Sequence, residues 1–335
     1  MSSALSFFSD QDVSREKWEQ LLSKNKFASV FQSPSFFDLY NSVNNYSASV
    51  FALELDNNYE AICVVTFQKE NGLKGYFSRR AIVYGGPLIN SPHNLPVFLN
   101  FINKEVKQKA IYIEIRNSFD YSEFKNEYLN NQWKYLPYMN LELDLTKGTV
   151  EELIGKMKYN RKREIRISLE ERATYGEAKD LLEVKALYSI LEELYKTRVK
   201  LPLPEMEYFE RLFLSSIGKV IIVKHDNMII GGSFCLFMPG NILYTLYYCG
   251  RRDYHKKIFP THLAIIGAAD VAQRNHVKML DFMGAGKKGE EYGVRKYKEE
   301  FGGELVENGR FIKINNKVLY KLGVFALSII QKVKK

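Results

Sequence analysis

The stretch that most narrows the fold lies in the last third of the chain. It runs Asp281-Phe282-Met283-Gly284-Ala285-Gly286, then Gly293-Val294-Arg295-Lys296-Tyr297-Lys298-Glu299-Glu300-Phe301-Gly302-Gly303. The apolar lead-in, Val277 to Leu280, is short and follows a helical pattern, as a central strand does after a crossover helix. The spacing predicts a buried strand, a glycine-rich loop, a short basic-aromatic helix and a closing turn. Glycines let backbone N–H groups approach a ligand, and the following helix adds partial positive charge and lysines. Such a place can stabilise a carbonyl oxygen as it becomes anionic. The same pattern also fits an ordinary strand–loop–helix connection with solvated lysines.

A chain of 335 residues is long for one core and comfortable for two. Its net charge of +9 favours anionic partners: phosphate-bearing small molecules, nucleic acid or an acidic membrane face. Aromatic residues reach 14%, suiting both grooves and sheets. Cys63, Cys235 and Cys249 sit in apolar runs without any C-x-x-C unit, so they read as buried small hydrophobes in a reducing compartment. The five histidines form no H-E-x-x-H pattern, and no metal site is expected. The N-terminus has no basic region followed by an apolar core, and no segment has the roughly 18 to 20 apolar residues of a spanning helix. The expected location is cytoplasmic. Val318 to Ile330 is mostly apolar and is followed by Lys332, Lys334 and Lys335. This reads either as a terminal helix docked on the core or as one lying on an anionic inner membrane surface.

Element order gives an α/β (α+β) chain with mixed sheets. Helices are expected over 14–24, 34–43, 95–108 and 121–130, with strands over 49–55, 61–68, 80–84, 110–116 and 135–145. The second half repeats the plan. A long basic helix over 149–173 and helices over 181–199 and 205–215 precede strands over 219–224, 228–237 and 242–249. Then come helix 261–275, strand 278–283, helix 294–301 and strand 310–314. The topology repeats without a visible sequence repeat. The boundary is placed near Thr146–Thr149, giving domains 1–147 and 148–335. This order matches the GNAT acyltransferase fold, whose mixed sheet opens between its fourth and fifth strands.

Specific residues then suggest a family. They are Phe31-Gln32-Ser33-Pro34, Gly85-Gly86-Pro87-Leu88, the basic run Arg161-Lys162-Arg163-Glu164-Ile165-Arg166, Thr197-Arg198 before Tyr208-Phe209, and the Asp281 to Gly302 block. Over nearly its whole length the chain resembles the FemABX peptidoglycan-bridge aminoacyltransferases and their FemAB-like GNAT relatives. The resemblance implies two tandem GNAT-like domains and amide formation, an acyl group passing from aminoacyl-tRNA to an amine of a cell-wall precursor. Relatives use acyl-CoA for polysaccharide or lipid-linked substrates. The chain departs from the bridge enzymes in having Tyr40 and Asn41 where a substrate-binding lysine is common, and in lacking a helical arm.

The resemblance implies that Lys298, after Tyr297, stabilises the tetrahedral oxyanion, and that Arg198 contacts phosphate. Asp281, at the strand end, either handles a proton, orients the amine or hydrogen-bonds loop N–H groups. Lys158, Lys162 and Arg166 recur at spacing four, flanked by Arg161 and Arg163. They form either a phosphate-tracking strip or a solvated face. Tyr247 and Tyr248 are expected to line the groove, with core packing claiming at least one of these and Tyr244. Gly284 and Gly286 are expected to approach substrate. The loop Arg251 to Lys256 has no glycine where GNAT enzymes bind the pyrophosphate of acetyl-CoA, which counts against CoA. No permanently bound cofactor is expected; the donor is aminoacyl-tRNA, or alternatively acyl-CoA. Expected partners are a nucleotide- or lipid-linked cell-wall or polysaccharide precursor, tRNA and the inner membrane face. A different class of reading is a non-catalytic module docking its basic face on RNA or membrane.

Overall fold

The alternating strand expected over 135–145 breaks at Pro137, which has no N–H for a sheet ladder. Lys134–Leu136 joins one sheet and Tyr138–Asp144 another. In this computed structural model, which describes residues 5–69 and 73–333, the break separates two compact units. One is Met1–Tyr138 with Asn308–Lys335; the other is Met139–Glu307. A single division at residue 147 is therefore corrected twice. The change of unit comes between Tyr138 and Met139, just past the break at Pro137, and the chain returns to its first unit after Glu307.

The first unit contains β1 (Ser6–Ser9), α1 (Arg15–Lys24), α2 (Pro34–Asn41), β2 (Ser47–Leu55), β3 (Asn58–Gln68), α3 (Leu73–Ser78) and β4 (Arg80–Gly85). It continues with β5 (Leu88–Ile89), α4 (Leu95–Val106), β6 (Tyr112–Asn117), α5 (Lys125–Asn130) and β7 (Lys134–Leu136). The second contains β8 (Tyr138–Asp144), α6 (Val150–Lys156), α7 (Tyr159–Glu170), β9 (Thr174–Glu177), α8 (Leu181–Leu194) and α9 (Met206–Leu214). Then come β10 (Gly218–His225), β11 (Met228–Phe237), β12 (Ile242–Gly250), α10 (Pro260–Arg274), β13 (Met279–Lys287), α11 (Gly293–Glu299) and β14 (Glu304–Val306). β15 (Arg310–Ile314) and α12 (Lys317–Val333) complete the first unit.

The first sheet runs β1-β2-β3-β4-β6-β15-β7, with β5 on β3. β4 and β6 pair in parallel over six residues, Arg80–Gly85 against Tyr112–Asn117. Beside them β3 and β4 pair only over Thr66–Gln68 and Arg80–Ile82. Past that point Gln32 takes over: its side-chain Nε2 donates to Tyr84 O at 2.7 Å, and its Oε1 accepts from Val64 N at 2.8 Å. A buried amide thus substitutes for the missing ladder. Leu53, Val65, Ile113 and Phe98 lie in this unit's core.

The second sheet runs β14-β8-β13-β12-β11-β10-β9, and α10 packs on it with Leu263, Ile266 and Val271 buried. The long basic helix expected over 149–173 is two helices. Thr149 caps α6 with a capping box to Glu152. Met157 is extended and buried, and Lys158 precedes α7. All three cysteines are buried and free. Among the described residues no helix is long and apolar enough to cross a membrane. Lys334 and Lys335 lie outside the described residues. Among the described side chains of α12 (those up to Phe325), Leu319 and Tyr320 are half-buried while Val318, Leu322 and Phe325 are exposed.

Candidate active site

The site begins where the second sheet comes apart. β12 and β13 pair in parallel over only three positions, Ile242–Tyr244 with Met279–Asp281. Just beyond, Phe234 of β11 faces Tyr247 while Cys235 faces Thr245, so Leu246 is left as a bulge in β12. A bulge bends its strand and raises the local twist, turning β12 from β13. Tyr247 and Tyr248 lie past the last paired residue and are half-buried. Tyr247 packs edge-on against Phe209, while Tyr248 stacks on Tyr297 with ring centroids 6.3 Å apart. Tyr244 is wholly buried and is the core member of the three.

β13 does not end in a glycine loop. It continues through Gly284, Ala285 and Gly286 to Lys287, correcting the loop expected there. The strand is kinked instead: Met283 has φ +60°, left-handed backbone that a non-glycine residue adopts only under constraint. Lys298 supplies the constraint. Its Nζ donates to the carbonyls of Phe282 at 2.5 Å, Gly284 at 2.9 Å and Met283 at 3.3 Å. Carbonyls alternate sides along a regular strand, so three converging on one ammonium require the break at Met283. All three ammonium donors are thereby used. Lys298 is 4% exposed, and burial brings its pKa down to about 8, with Asp281 opposing.

Asp281 holds the kink from the other side. Its Oδ1 accepts from Met283 N at 2.5 Å and its Oδ2 from Asn140 Nδ2 at 3.4 Å. It is 1% exposed, and burial, reinforced by Glu142, raises its pKa to about 7. Of the roles open in the sequence, hydrogen bonding to backbone N–H is the geometry observed. Gly284 contributes a carbonyl to Lys298. Gly286 has φ +84°, and a Cβ there would come within 2.9 Å of the Tyr292 ring. Its glycine is required by backbone and by Tyr292. Arg295 braces the segment by donating from Nε to Ala285 O at 2.7 Å and from a terminal nitrogen to Lys287 O.

Tyr297 joins a polar chain that the sequence did not reveal. Its hydroxyl lies 3.4 Å from His262 Nδ1, and His262 Nε2 lies 3.1 Å from Glu164 Oε2. Burial, then Arg161, lowers the His262 pKa to about 3, so the imidazole is neutral. A neutral ring facing a carboxylate is assigned Nε2–H, leaving Nδ1 to accept from Tyr297. Burial also pushes the Tyr297 phenol up. The signals in the sequence were faint: Glu164 is the acid in a basic run, and His262 follows Phe259-Pro260 at the start of α10.

The basic strip is shortened: Lys162 and Arg166 lie four residues apart on α7 and share a face. Lys158 precedes the helix, which breaks the spacing of four. Arg161 is buried, with its guanidinium over the Tyr297 ring at 4.6 Å and ion-paired to Glu164 and Glu300. Burial among carboxylates and rings corrects its expected role as a phosphate contact. Lys162 donates to Gly155 O at 3.1 Å, and Arg166 pairs with Glu151.

Positive charge collects elsewhere. A one-turn π-helix at Tyr195–Val199 carries Arg198 to an open cleft of about 620 Å³, rimmed also by Arg251, Arg252, Lys256 and His262. Arg198, Arg252 and Lys256 have no ion-pair partner among the described residues. The cleft also meets the start of α10, where Pro260 occupies the first turn and no side chain caps the helix. An uncapped helix N-terminus beside unpaired arginines favours anions.

No family model matches the sequence. No curated protein matches it. Solved structures do match in fold. The chain superposes on FemX with a TM-score of 0.72 at 14% identity, covering 94% of this chain and 99% of that one. The C-terminal domain of a putative lysylphosphatidylglycerol synthetase from Agrobacterium fabrum gives 0.58 at 10% identity, covering 94% and 95%. A tandem GNAT protein from the clavulanic acid biosynthesis pathway gives 0.55 at 9% identity, covering 93% and 99%. The chain thus has the fold of FemX and of tandem GNAT proteins, with two mixed-sheet lobes in one polypeptide.

Proposed function

We propose that the chain is an acyltransferase of the FemABX type, moving an aminoacyl group from tRNA to an amine of a cell-wall precursor. The observation that carries this reading is the opened β12–β13 junction with the Lys298 ammonium buried at its kink. Trans peptide planes point each N–H opposite its carbonyl. Carbonyls drawn to Lys298 therefore send the amides of Gly284 and Ala285 away from it, polarised by the charge behind them. An ester carbonyl seated there gains a stabilised tetrahedral oxyanion. Lys298 acts through the strand it holds, since its own donors are occupied.

In the reaction the acceptor nitrogen attacks the ester carbon, the C–N bond forms and the C–O bond to the tRNA ribose breaks. The amine proton leaves to solvent or to the departing ribose oxygen. Asp281 is committed to Met283 N–H and Asn140, so no dedicated base is assigned to it. The cleft at Arg198, Arg252 and Lys256 suits donor phosphates. It uses side chains where acetyl-CoA enzymes use glycine amides, which supports tRNA over CoA. The likeness in fold to FemX and to a putative lysylphosphatidylglycerol synthetase supports an aminoacyl donor and a cell-envelope acceptor.

The reading is tested with nuclease-treated protein, a nucleotide-linked muramyl peptide, and either charged tRNA or acyl-CoA. Transfer from charged tRNA alone is expected. Transfer from acyl-CoA to a sugar acceptor, with none from tRNA, would replace it by an acyl-CoA-dependent polysaccharide N- or O-acyltransferase. Binding of RNA without any transfer would leave a non-catalytic module.

A further inference from the structure

α12 is unusual in what it leaves uncovered. Its inner side is settled: the Tyr320 ring meets Tyr112 edge-on at 5.4 Å, and a Cβ added to Gly323 would touch the Phe77 carbonyl at 3.5 Å. The opposite side carries Val318, Leu322 and Phe325, spaced four and three residues apart and so on one face. Their exposures are 69%, 50% and 64%. α3 packs beside α12 and adds exposed Tyr76 and Phe77. Single exposed apolar residues are ordinary; three aligned on one face of α12 form a ridge that calls for an occupant.

Charge identifies the occupant. From Lys317 to Lys335 the sequence has five lysines and no acidic residue. Lys317 and Lys321 are exposed on the helix that bears the apolar ridge. The Arg79 guanidinium lies over Tyr76 at 4.7 Å from the ring centroid. We propose that the outer face of α12 docks the protein on an anionic lipid bilayer, the helix lying in the headgroup plane. Apolar side chains enter the acyl boundary and lysines extend to lipid phosphates. A second copy is disfavoured, because a two-fold interface would set one lysine-bearing helix against its equal. The inference does not depend on the acyl-transfer reading; it adds a surface on which a lipid-linked acceptor would be met.

The experiment is vesicle flotation of the full chain at about 0.1 M salt, with phosphatidylcholine alone or with about 30% phosphatidylglycerol. Wild-type protein is expected to partition at least about tenfold more strongly onto the anionic vesicles. Leu322→Glu with Phe325→Glu should lower partitioning roughly 100-fold, since two large apolar groups leave the bilayer. Lys317→Gln with Lys321→Gln should lower it about tenfold and weaken its salt dependence. Thermal melts of these variants should match wild type, because the changed side chains are exposed. Absence of binding to anionic vesicles overturns the proposal, as does binding that the Glu pair leaves intact. A concentration-dependent dimer, dispersed by the Glu pair in sedimentation velocity, would assign the face to a second copy instead.

Discussion

The two sheets follow one plan and differ at their parallel junction. In the first, β4 and β6 stay paired over six residues; in the second, β12 and β13 pair over three and then part. Each unit also has a buried polar side chain that serves several backbone groups of its sheet. Gln32 bridges Val64 and Tyr84 and closes the first sheet. Lys298 gathers three carbonyls and holds the second sheet's β13 kinked. A neutral amide has donors and an acceptor and can seal a gap; an ammonium has donors alone and turns backbone dipoles one way. The first sheet's gap is thereby bridged, while in the second an ammonium is held against a kinked strand.

The largest effect that would break this contrast is on catalysis. Lys298→Met keeps the volume and removes the charge, and should cut kcat for acyl transfer by about 100- to 1000-fold. Unchanged turnover in a folded protein would remove Lys298 from the account. Arg161→Ala should cost about 3 kcal/mol in urea unfolding, since it strands Glu164 and Glu300 beside buried rings. Gln32→Ala should cost about 2 kcal/mol by leaving Val64 and Tyr84 backbone groups unpaired, with kcat unaltered. A loss of activity equal to that of Lys298→Met would erase the division of labour between lobes. Gly286→Ala should cost about 1–2 kcal/mol through its left-handed backbone and Tyr292. Arg166→Ala, at an exposed ion pair with Glu151, should stay within about 0.5 kcal/mol.

Periodicity made the long central strands and helices legible, and the Asp281–Gly303 block placed strand, basic helix and Lys298 in the right order. The edge strands β1, β9 and β14 were missed, and β7 was merged with β8. Each of the four is three or four residues long, too short for alternation to register. The kink at Met283 could not be read because it arises from Lys298, fifteen residues later. The charge run at Arg161–Arg166 misled for a related reason. Spacing does not show where a helix starts or which residue turns inward: α7 starts at Tyr159, so Lys158 lies outside it, and Arg161 is buried. Tyr297, His262 and Glu164 meet across large sequence separations, so their chain became visible only in three dimensions.

The pH dependence of wild type against Lys298→Arg isolates the charge itself. Burial lowers the Lys298 pKa, so its folded form loses a proton as pH rises through about 8, far below an ordinary lysine. By linkage, this group's contribution to stability is present above the unfolded pKa and lost as pH falls through about 8; the charge needed for catalysis follows the opposite course. Arginine keeps its proton throughout. With the same acceptor amine in both assays, acceptor titration cancels from the ratio of rates. The ratio of wild-type to Lys298→Arg kcat is expected to be constant below pH 7 and to fall roughly 15-fold between pH 8 and 9.5. A ratio that stays flat across that range would contradict it.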